Sequence, residues 1–338
     1  MLEKQPVSEQ RITDCLITNY GIEVSTLTFL PLGADMHASV YKAQAYDQSS
    51  YFVKLKRGHN PDISPLIIGL LQDAGIKQII PIFKTIYGHP TQRIDDFTLT
   101  VSPFIEGQDG FSRALTEDQW VTFGTILRQV HEIEVPHPIQ AMLRRESYSP
   151  QWRDAVRSLY VHIESKPKGD EIALQLLAFM KQHTTSIQRL VERAEQLAQK
   201  LQEQLPEFVL CHSDIHGGNL LMDGSDAIIY IVDWDAPIMA PKERDLMFIG
   251  GGVANVWNQL HEEDLFYQGY GKSEVNMEIL AYYRHERIVE DIALYGQQLL
   301  LTTTGGQDRI ESYKHFVAQF EPQGVVEIAF KTDESLAI

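Results

Sequence analysis

Cysteines and long apolar runs are scarce in this sequence. Cys15 and Cys211 are the only cysteines among 338 residues and lie far apart, so neither a disulfide framework nor a cysteine metal centre is expected. No apolar run is long enough to cross a membrane. The N-terminus is polar and carries Glu3, which is not the pattern of a signal peptide. These features predict a protein of the reducing cytoplasm.

Basic residues are also few. The chain has 29 lysines and arginines against 46 aspartates and glutamates, which gives a formal net charge of −17. Such a charge argues against nucleic acid and anionic membrane surfaces as partners. It is compatible with a cationic substrate, and it is equally well explained as a charge that keeps the protein in solution.

The first hundred residues alternate short β-type runs with turns. Residues 26–56 are predicted to form a β-meander and residues 61–74 a helix. Residues 79–87 and 97–102 are predicted to be two further strands. This part of the chain is therefore expected to be a small sheet with one inserted helix.

Helical patterns dominate after Pro103. Thr116 is expected to cap the first of the helices, which are predicted over residues 117–134, 149–163, 170–204, 261–271 and 276–300. The prediction is an α+β fold in three parts: a β-rich lobe (1–102), a hinge or linker (103–112) and a mostly helical lobe (113–338).

The stretch from Phe208 to Asp235 interrupts the helical part with apolar runs and polar turns. It predicts a polar loop, H-S-D-I-H-G-G-N, followed by a hairpin. Antiparallel pairing would bring Asp214, Asn219 and Asp233 to one end of that hairpin. Two carboxylates and an amide suit a hard cation and a hydroxyl group that is to be deprotonated.

The spacing of these three residues is that of a phosphoryl-transfer centre. Asp214 and Asn219 are five residues apart, and Asp233 ends the following hairpin, as in the catalytic loop and metal site of protein kinases. The alternative is a polar turn in which Asp214 caps backbone N–H groups. The flanking strands, the two glycines and the D-W-D ending favour phosphoryl transfer.

Four motifs together resemble the aminoglycoside phosphotransferase family, which shares a kinase-like fold with choline kinases. They are H-S-D-I-H-G-G-N with I-V-D-W-D, P-K-E-R-D-L-M-F-I-G-G-G, L-R-Q-V-H-E and Y-Y-R-H-E-R-I-V-E-D. His216 matches a second histidine of that family. The resemblance implies a bilobal protein-kinase-like fold, ATP (or GTP) and Mg²⁺. It also implies, as acceptor, a hydroxyl of a small cationic aminocyclitol or aminoglycoside antibiotic, with spectinomycin as the expected one.

Within this resemblance, Asp214 is the predicted catalytic residue, and Asn219 and Asp233 are the predicted metal ligands. Lys54, in the apolar run Y-F-V-K-L-K, is predicted to hold the nucleotide phosphates. Lys56 lies on the same strand face, but Lys54 is deeper in the apolar run. The alternative is an edge strand with solvated lysines.

The predicted partner of Lys54 is missing. In the kinase pattern this lysine pairs with a glutamate on the following helix, and residues 55–95 contain no glutamate. Asp62 and Asp73 are the only acids before residue 79, and neither is assigned as the partner.

Further nucleotide contacts are predicted in two segments. Gly33 and the small residues up to Ser39 occupy the place of a phosphate-covering loop, although a plain hairpin turn fits equally well because the other glycines of that motif are absent. Ser102, Phe104 and Ile105 flank Pro103 in the segment expected to offer backbone groups to adenine.

Acidic residues could recognise the amines of a cationic acceptor. Asp235 and Glu286 are the predicted candidates beside Asp214, and Glu290 and Asp291 are further acids of the same segment. Solvated helix faces or structural ion pairs are the alternative. Asp245 is expected to anchor a helix.

Two other functions stay open. One is a kinase for a housekeeping metabolite of the choline, methylthioribose or homoserine type. The other is a catalytically silent nucleotide-binding module, against which the presence of all four predicted phosphoryl-transfer residues argues.

Overall fold

The structure is a computed structural model that describes residues 4–32, 38–58, 63–164, 169–204, 206–225, 228–303 and 305–336. The chain divides into two compact units. The first consists of Met1–Asp109, Val135–Met142 and Leu220–Pro237, and the second of Gly110–Glu134, Leu143–Asn219 and Ile238–Ile338. The predicted hairpin after the polar loop therefore belongs to the first unit, whereas the loop itself belongs to the second.

The strands of the described residues are β1 (Val24–Leu30), β2 (Ala38–Ala45), β3 (Ser50–Arg57), β4 (Gln92–Ile94), β5 (Phe97–Pro103), β6 (Gly107–Asp109), β7 (Arg144–Arg145), β8 (Val209–Cys211), β9 (Leu220–Asp223), β10 (Ile229–Ile231) and β11 (Ile238–Ala240).

The α-helices of the same residues are α1 (Glu9–Cys15), α2 (Ser64–Asp73), α3 (Glu117–His131), α4 (His137–Gln140), α5 (Gln151–Glu164), α6 (Glu171–Gln182), α7 (Thr184–Gln204), α8 (Glu243–Leu246), α9 (Leu260–Tyr270), α10 (Met277–Leu301), α11 (Gly306–Ala318) and α12 (Val325–Leu336). The predicted α+β fold, with a β-rich N-terminal and a helical C-terminal region, is confirmed. No helix among the described residues is both long and apolar enough to cross a bilayer.

The first unit is built on an antiparallel sheet with strand order β1-β2-β3-β5-β4. Alternating residues of its strands are fully buried, such as Val53 and Leu55 on β3 and Leu99 and Val101 on β5. Lys54 stands between the first two, opposite Thr100, and so points to the other face of the sheet. The period-2 alternation thus separates the core from the predicted phosphate-binding lysine.

The strand predicted over residues 79–87 is wrong. This segment makes isolated backbone hydrogen bonds instead of a continuous β-ladder. Ile79 forms one isolated bridge to Ile231, and the Phe83 N–H donates to the Val101 carbonyl. Pro81 has no N–H to donate, which interrupts a continuous ladder. The fifth strand of the sheet is β4 instead, which follows this segment.

A second, three-stranded sheet of the first unit has the order β10-β9-β6. Its β9–β10 pair is the hairpin predicted from the sequence, with Ile229 opposite Met222 and Ile231 opposite Leu220. The alternation of buried and half-buried residues fixes this register, because a slip by one residue would expose the buried isoleucines.

The second unit is mostly helical around α10. Asn276 caps α10 by accepting from the backbone N–H groups of Glu278 and Ile279. The buried face of α10 packs against α5, α7 and α12. The helix predicted over residues 170–204 is two helices, α6 and α7, which meet at His183. There the Thr184 hydroxyl donates to the Met180 carbonyl, a bond that competes with the regular helix ladder.

Helices α3 and α9 of the second unit cross with their backbones in contact. Thr116 caps α3 in a reciprocal capping box with Gln119, as its position before the apolar pattern predicts. At the crossing, a Cβ on Gly124 would overlap the Phe266 carbonyl, and a Cβ on Gly269 would overlap the Val121 carbonyl.

The α3–α9 crossing leads to a stability prediction. Gly124→Ala should lower the free energy of unfolding by about 1–3 kcal/mol, because the added methyl forces the helices apart. The matched control is Gly69→Ala in α2, where an added Cβ meets nothing within 4 Å and alanine should stabilise the helix by up to about 1 kcal/mol. Chemical denaturation measures both, and a Gly124→Ala variant as stable as wild type would contradict the close approach.

Candidate active site

The predicted site residues fall in both units. In the second unit, β8 leads into the loop of residues 212–219. The backbone N–H groups of His212 and Ser213 donate to the two carboxylate oxygens of Asp245, at 2.8 and 2.7 Å. Ser213 adopts a φ of 73°, a left-handed conformation that non-glycine residues rarely take. Asp245 therefore holds a strained turn immediately before Asp214.

Asp245 is itself fully buried and lies in α8. It is 3.1 Å from Nε2 of His131, whose Nδ1 is 2.8 Å from the Tyr270 hydroxyl. The prediction that Asp245 anchors a helix is confirmed, because its carboxylate holds α8 against the loop of residues 212–219. A buried carboxylate is tolerated because hydrogen bonds replace its hydration.

The cluster of His131, Cys211 and Asp245 could suggest a metal ion, since their ligand atoms lie within 4.8 Å of one another. Both His131 nitrogens and both Asp245 oxygens already have hydrogen-bond partners. The Cys211 Sγ in turn lies 3.6 Å from the Ala240 carbonyl and 3.5 Å from the Pro241 carbonyl, to which the thiol can donate. The cluster is therefore structural.

The carboxylate of Asp214 is held from two sides. Its Oδ1 accepts from Nη1 of Arg287 at 2.6 Å, and its Oδ2 lies 3.5 Å from Nε2 of His216. Burial by itself would raise the pKa of Asp214. The positive charge of Arg287 and the contact with His216 outweigh burial and hold that pKa well below its ordinary value. The carboxylate is therefore ionised and oriented.

His216 is itself oriented. Its Nδ1 accepts from the Gly218 N–H at 3.1 Å, so in the neutral ring the proton is on Nε2, towards Asp214. The ring stacks on Phe111 with centroids 5.1 Å apart. Both loop glycines are needed here, because a Cβ on Gly217 or Gly218 would come within 2.9 or 2.7 Å of the Phe111 ring.

Asn219 closes the loop. Its side-chain nitrogen donates to the Asp214 backbone carbonyl at 2.7 Å, and its own N–H donates to the His216 carbonyl. The amide oxygen is not used in these bonds. Asp214 and Asn219, which are five residues apart in the sequence, are thus in direct contact through a side-chain to backbone hydrogen bond.

In the first unit, two lysines of β3 meet two aspartates that follow β10. Nζ of Lys54 is 2.9 Å from Asp233 and 2.9 Å from Asp235, and Nζ of Lys56 is 2.8 Å from Asp235. Asp233 has a φ of 63°, again in the left-handed region. The buried Trp234 separates the aspartates and donates to the Ile231 carbonyl, which anchors the D-W-D turn.

These contacts supply the acidic partner of Lys54 that the sequence left open. Asp73 is exposed at the end of α2, and Asp62 lies outside the described residues. Burial opposes the charge of Lys54, but Asp233 and Asp235 outweigh it and raise the lysine pKa. Burial likewise opposes ionisation of Asp235, and the two lysines lower its pKa to about 2.

Except for Ile105, the other predicted nucleotide-binding residues either lie outside the described part of the chain or have hydrogen-bond partners within the protein. Gly33 lies outside the described residues. Ser39 is buried, and its hydroxyl accepts from the Gln5 N–H. Ser102 pairs with Phe52 in the sheet, and the Phe104 N–H donates to the Ser50 carbonyl.

That last bond changes the prediction for adenine. Because the Phe104 N–H is already bonded, Ile105 is the better backbone donor of the two. Ile105 is half-buried just beyond the end of β5.

A family model of phosphotransferase enzymes matches residues 28–249. The chain belongs to the phosphotransferase enzyme family. The resemblance to aminoglycoside phosphotransferases is therefore confirmed, and so is a phosphotransferase activity with a hydroxyl group as acceptor. No curated protein matches the chain significantly.

Two similar solved structures are of a spectinomycin phosphotransferase. The complex with ADP and spectinomycin is 48% identical to this phosphotransferase, covers 97% of this chain and 99% of its own, and has a TM-score of 0.92. The AMP-bound complex is 46% identical, with 97% and 100% coverage and a TM-score of 0.87. An amicoumacin kinase, 17% identical over 96% of this chain and 94% of its own, shares the fold with a TM-score of 0.62. The predicted kinase-like fold is confirmed.

Glu286 of this phosphotransferase is not a free carboxylate. It is 7% exposed, and its Oε2 accepts from Nη1 of the buried Arg153 at 2.5 Å. Burial raises the pKa of Glu286 to about 7, although Arg153 opposes the shift. This arrangement favours the structural alternative stated for Glu286, whereas its proposed contact with the acceptor stays a prediction.

Three side chains of the second unit were missed in the sequence. Arg287 lies between Glu286 and the acids Glu290 and Asp291 in the sequence; its side chain is 24% exposed, and it contacts Asp291 at 3.1 Å as well as Asp214 at 2.6 Å. Phe111 lies in the predicted linker, and Arg153 lies in a helix without a motif. The charge pattern R-H-E-R of α10 was a usable signal for Arg287, but the other two had none.

The raised pKa of Glu286 gives a pH prediction. Between about pH 4.3, where an unfolded glutamate titrates, and about pH 7, the folded state keeps a proton that the unfolded state loses. The free energy of unfolding should therefore fall as pH rises through this window. Denaturant titrations from pH 5 to 7.5 should show a smaller fall in Glu286→Gln, whereas the exposed control Glu203→Gln should follow wild type. Equal slopes in all three proteins would contradict the shift.

Proposed function

We propose that this phosphotransferase transfers the γ-phosphate of ATP, or of GTP, to a hydroxyl of spectinomycin, a small cationic aminocyclitol, and so confers antibiotic resistance. The observation that carries the proposal is the 48% identity, over nearly the full length of both chains, with a spectinomycin phosphotransferase bound to ADP and spectinomycin. The distant kinases support the fold alone.

The geometry of the second unit suits Asp214 to the acceptor hydroxyl. The carboxylate is ionised and held by Arg287 and His216, so it can accept a hydrogen bond from the hydroxyl and take its proton. A carboxylate with a lowered pKa is a weak base. That is acceptable, because the transition state of phosphoryl transfer is loose and orientation matters more than base strength.

The first unit offers groups for the nucleotide. The Lys54 ammonium can bind the phosphates, as the corresponding strand lysine does in kinases. The Ile105 N–H is available to the adenine edge, while the Phe104 N–H is occupied. Of the three carboxylates predicted to face the acceptor, Asp214 carries the proposal, because its side chain is 39% exposed, whereas those of Asp235 and Glu286 are 24% and 9% exposed.

The chemistry of two side chains fits a hard divalent cation. Amide and carboxylate oxygens are ligands that Mg²⁺ accepts. The Asn219 amide nitrogen is used towards Asp214, which leaves its oxygen for a ligand, and the Asp233 carboxylate is 46% exposed. On this chemistry alone, Asn219 of the second unit and Asp233 of the first are the proposed Mg²⁺ ligands, and Mg²⁺ would neutralise charge on the phosphates.

A substrate assay tests the proposal directly. Purified protein with Mg²⁺ should phosphorylate spectinomycin, with ATP and GTP compared in parallel. Choline, methylthioribose and homoserine form the comparison panel. Transfer confined to one of these metabolites would favour the housekeeping kinase. Absence of both transfer and hydrolysis with every acceptor would favour the silent nucleotide-binding module.

The role of Asp214 predicts a large effect on turnover. Asp214→Asn should lower kcat about 10²- to 10⁴-fold, because the amide cannot take the hydroxyl proton. Nucleotide binding should change little. Asp264→Asn, at an exposed aspartate of the same unit, is the control and should match wild type. Near-normal turnover of Asp214→Asn would remove the base assignment.

The role of Asp233 predicts an effect on binding instead. Calorimetry of ATP with wild type should show tighter binding in Mg²⁺ than in EDTA, and Asp233→Ala should abolish that difference. Asp73→Ala, at the exposed end of α2, should keep it. An Asp233→Ala variant with the affinity of wild type in Mg²⁺ would refute the ligand assignment.

A further inference from the structure

The two lysines of β3 and the two aspartates of the D-W-D turn form a compact group of four charges in the first unit. One oxygen of Asp235, Oδ2, accepts from both ammonium groups, at 2.9 Å from Lys54 and 2.8 Å from Lys56. The Oδ1 atom of Asp233 accepts from Lys54 alone. The group is electrically balanced, with two positive and two negative side chains.

Spacing explains why the four groups meet. Lys54 and Lys56 are two residues apart on one face of β3, and the aspartates are likewise two apart around the buried Trp234. Lys54 is the most enclosed of the four, with 19% of its side chain exposed, and Asp233 is the least, with 46%. Asp235 has 24% of its side chain exposed and bridges the lysines.

The ion pairs with Asp233 and Asp235 stand in for the helix glutamate that the kinase pattern would pair with Lys54. No glutamate occurs from residue 55 to 95, so α2 brings none to Lys54. Within the part of the chain that the structure describes, the carboxylates that form ion pairs with Lys54 are Asp233 and Asp235. If Asp233 becomes a metal ligand, Asp235 is the carboxylate that remains to hold Lys54.

Charge balance then gives Lys56 a function. An Asp235 carboxylate paired with Lys54 alone would cancel the positive charge that the phosphates need. Lys56 provides a second cation for the same oxygen, so that Lys54 is held without being fully neutralised. Asp235 in turn reduces the electrostatic repulsion between the Lys54 and Lys56 ammonium groups, because its carboxylate lies between them.

We propose that Asp235 is a positioning residue that holds the phosphate-binding Lys54 in the place of the absent helix glutamate, and that Lys56 balances its charge. The proposal rests on the proposed function, because it takes Lys54 to bind nucleotide phosphates. It replaces the prediction that Asp235 recognises the amines of the acceptor.

Binding of ADP, measured by calorimetry in EDTA, tests the charge balance without acceptor, metal or turnover. Lys56→Gln should weaken ADP about 3- to 10-fold, because it leaves an excess negative charge beside the phosphates. Asp235→Asn should bind ADP within about twofold of wild type, because Asp233 still pairs with Lys54. The double variant Asp235→Asn/Lys56→Gln should return to within about twofold of wild type, which shows the coupling.

Kinetics test the positioning role. With Asp235→Asn, kcat should fall at least about tenfold while KM for the acceptor stays within about twofold, because Lys54 is no longer held. Lys56→Arg keeps the charge and should restore most of the ADP affinity lost in Lys56→Gln. Asp73→Asn is the matched control and should match wild type in every measurement.

Several results would overturn the proposal. A raised acceptor KM with normal kcat in Asp235→Asn would assign Asp235 to the acceptor instead. Additive effects in the double variant, or failure of wild type to bind ADP, would remove the charge-balancing role. If wild type phosphorylates no antibiotic but the ADP coupling appears, the proposed acceptor is wrong and the lysine arrangement stands.

Discussion

Asp245 is the constraint on which the geometry of the catalytic loop depends. A fully buried carboxylate needs hydrogen bonds on both oxygens, and it obtains them from two consecutive backbone N–H groups and from His131. Two N–H groups can converge on one carboxylate because Ser213 adopts a positive φ. If the turn relaxed, the buried Asp245 carboxylate would lose these hydrogen bonds. The free-energy cost of that loss offsets the strain of the turn. The direction in which Asp214 leaves the loop follows from this contact.

In the proposed reaction Asp214 is a weak base, and the residues around it explain why a weak base is suitable. Arg287 and His216 lower the proton affinity of Asp214 while they fix its orientation. For a reaction that breaks a carbon–hydrogen bond, such a base would be poor. For transfer of a phosphoryl group through a loose transition state, the proton leaves late and position matters more. The arrangement is therefore consistent with the family to which the chain belongs.

The first unit meets a similar demand with opposite charges. An ammonium group in a mostly apolar strand needs carboxylates around it, and in its proposed role Lys54 must also keep positive charge for the nucleotide phosphates. Sharing one carboxylate between two lysines reconciles these demands, and the D-W-D turn supplies that carboxylate. The deviation from the kinase pattern, the missing helix glutamate, is thus accompanied by a different source of the same charge.

The sequence by itself determined the fold class, the hairpin and the capped helix α3, because these depend on local periodicity, and its fixed offsets single out the loop of residues 212–219 as the predicted catalytic loop. It could not show that segment 79–87 makes isolated backbone hydrogen bonds instead of a β-ladder, because an apolar run does not reveal whether its N–H groups find partners. Only the tertiary structure decided that Lys54 pairs with Asp235, Asp214 with Arg287 and Glu286 with Arg153. Each pair joins side chains about 70 to 180 positions apart, and charge pairing at such separations leaves no periodic trace in a single sequence.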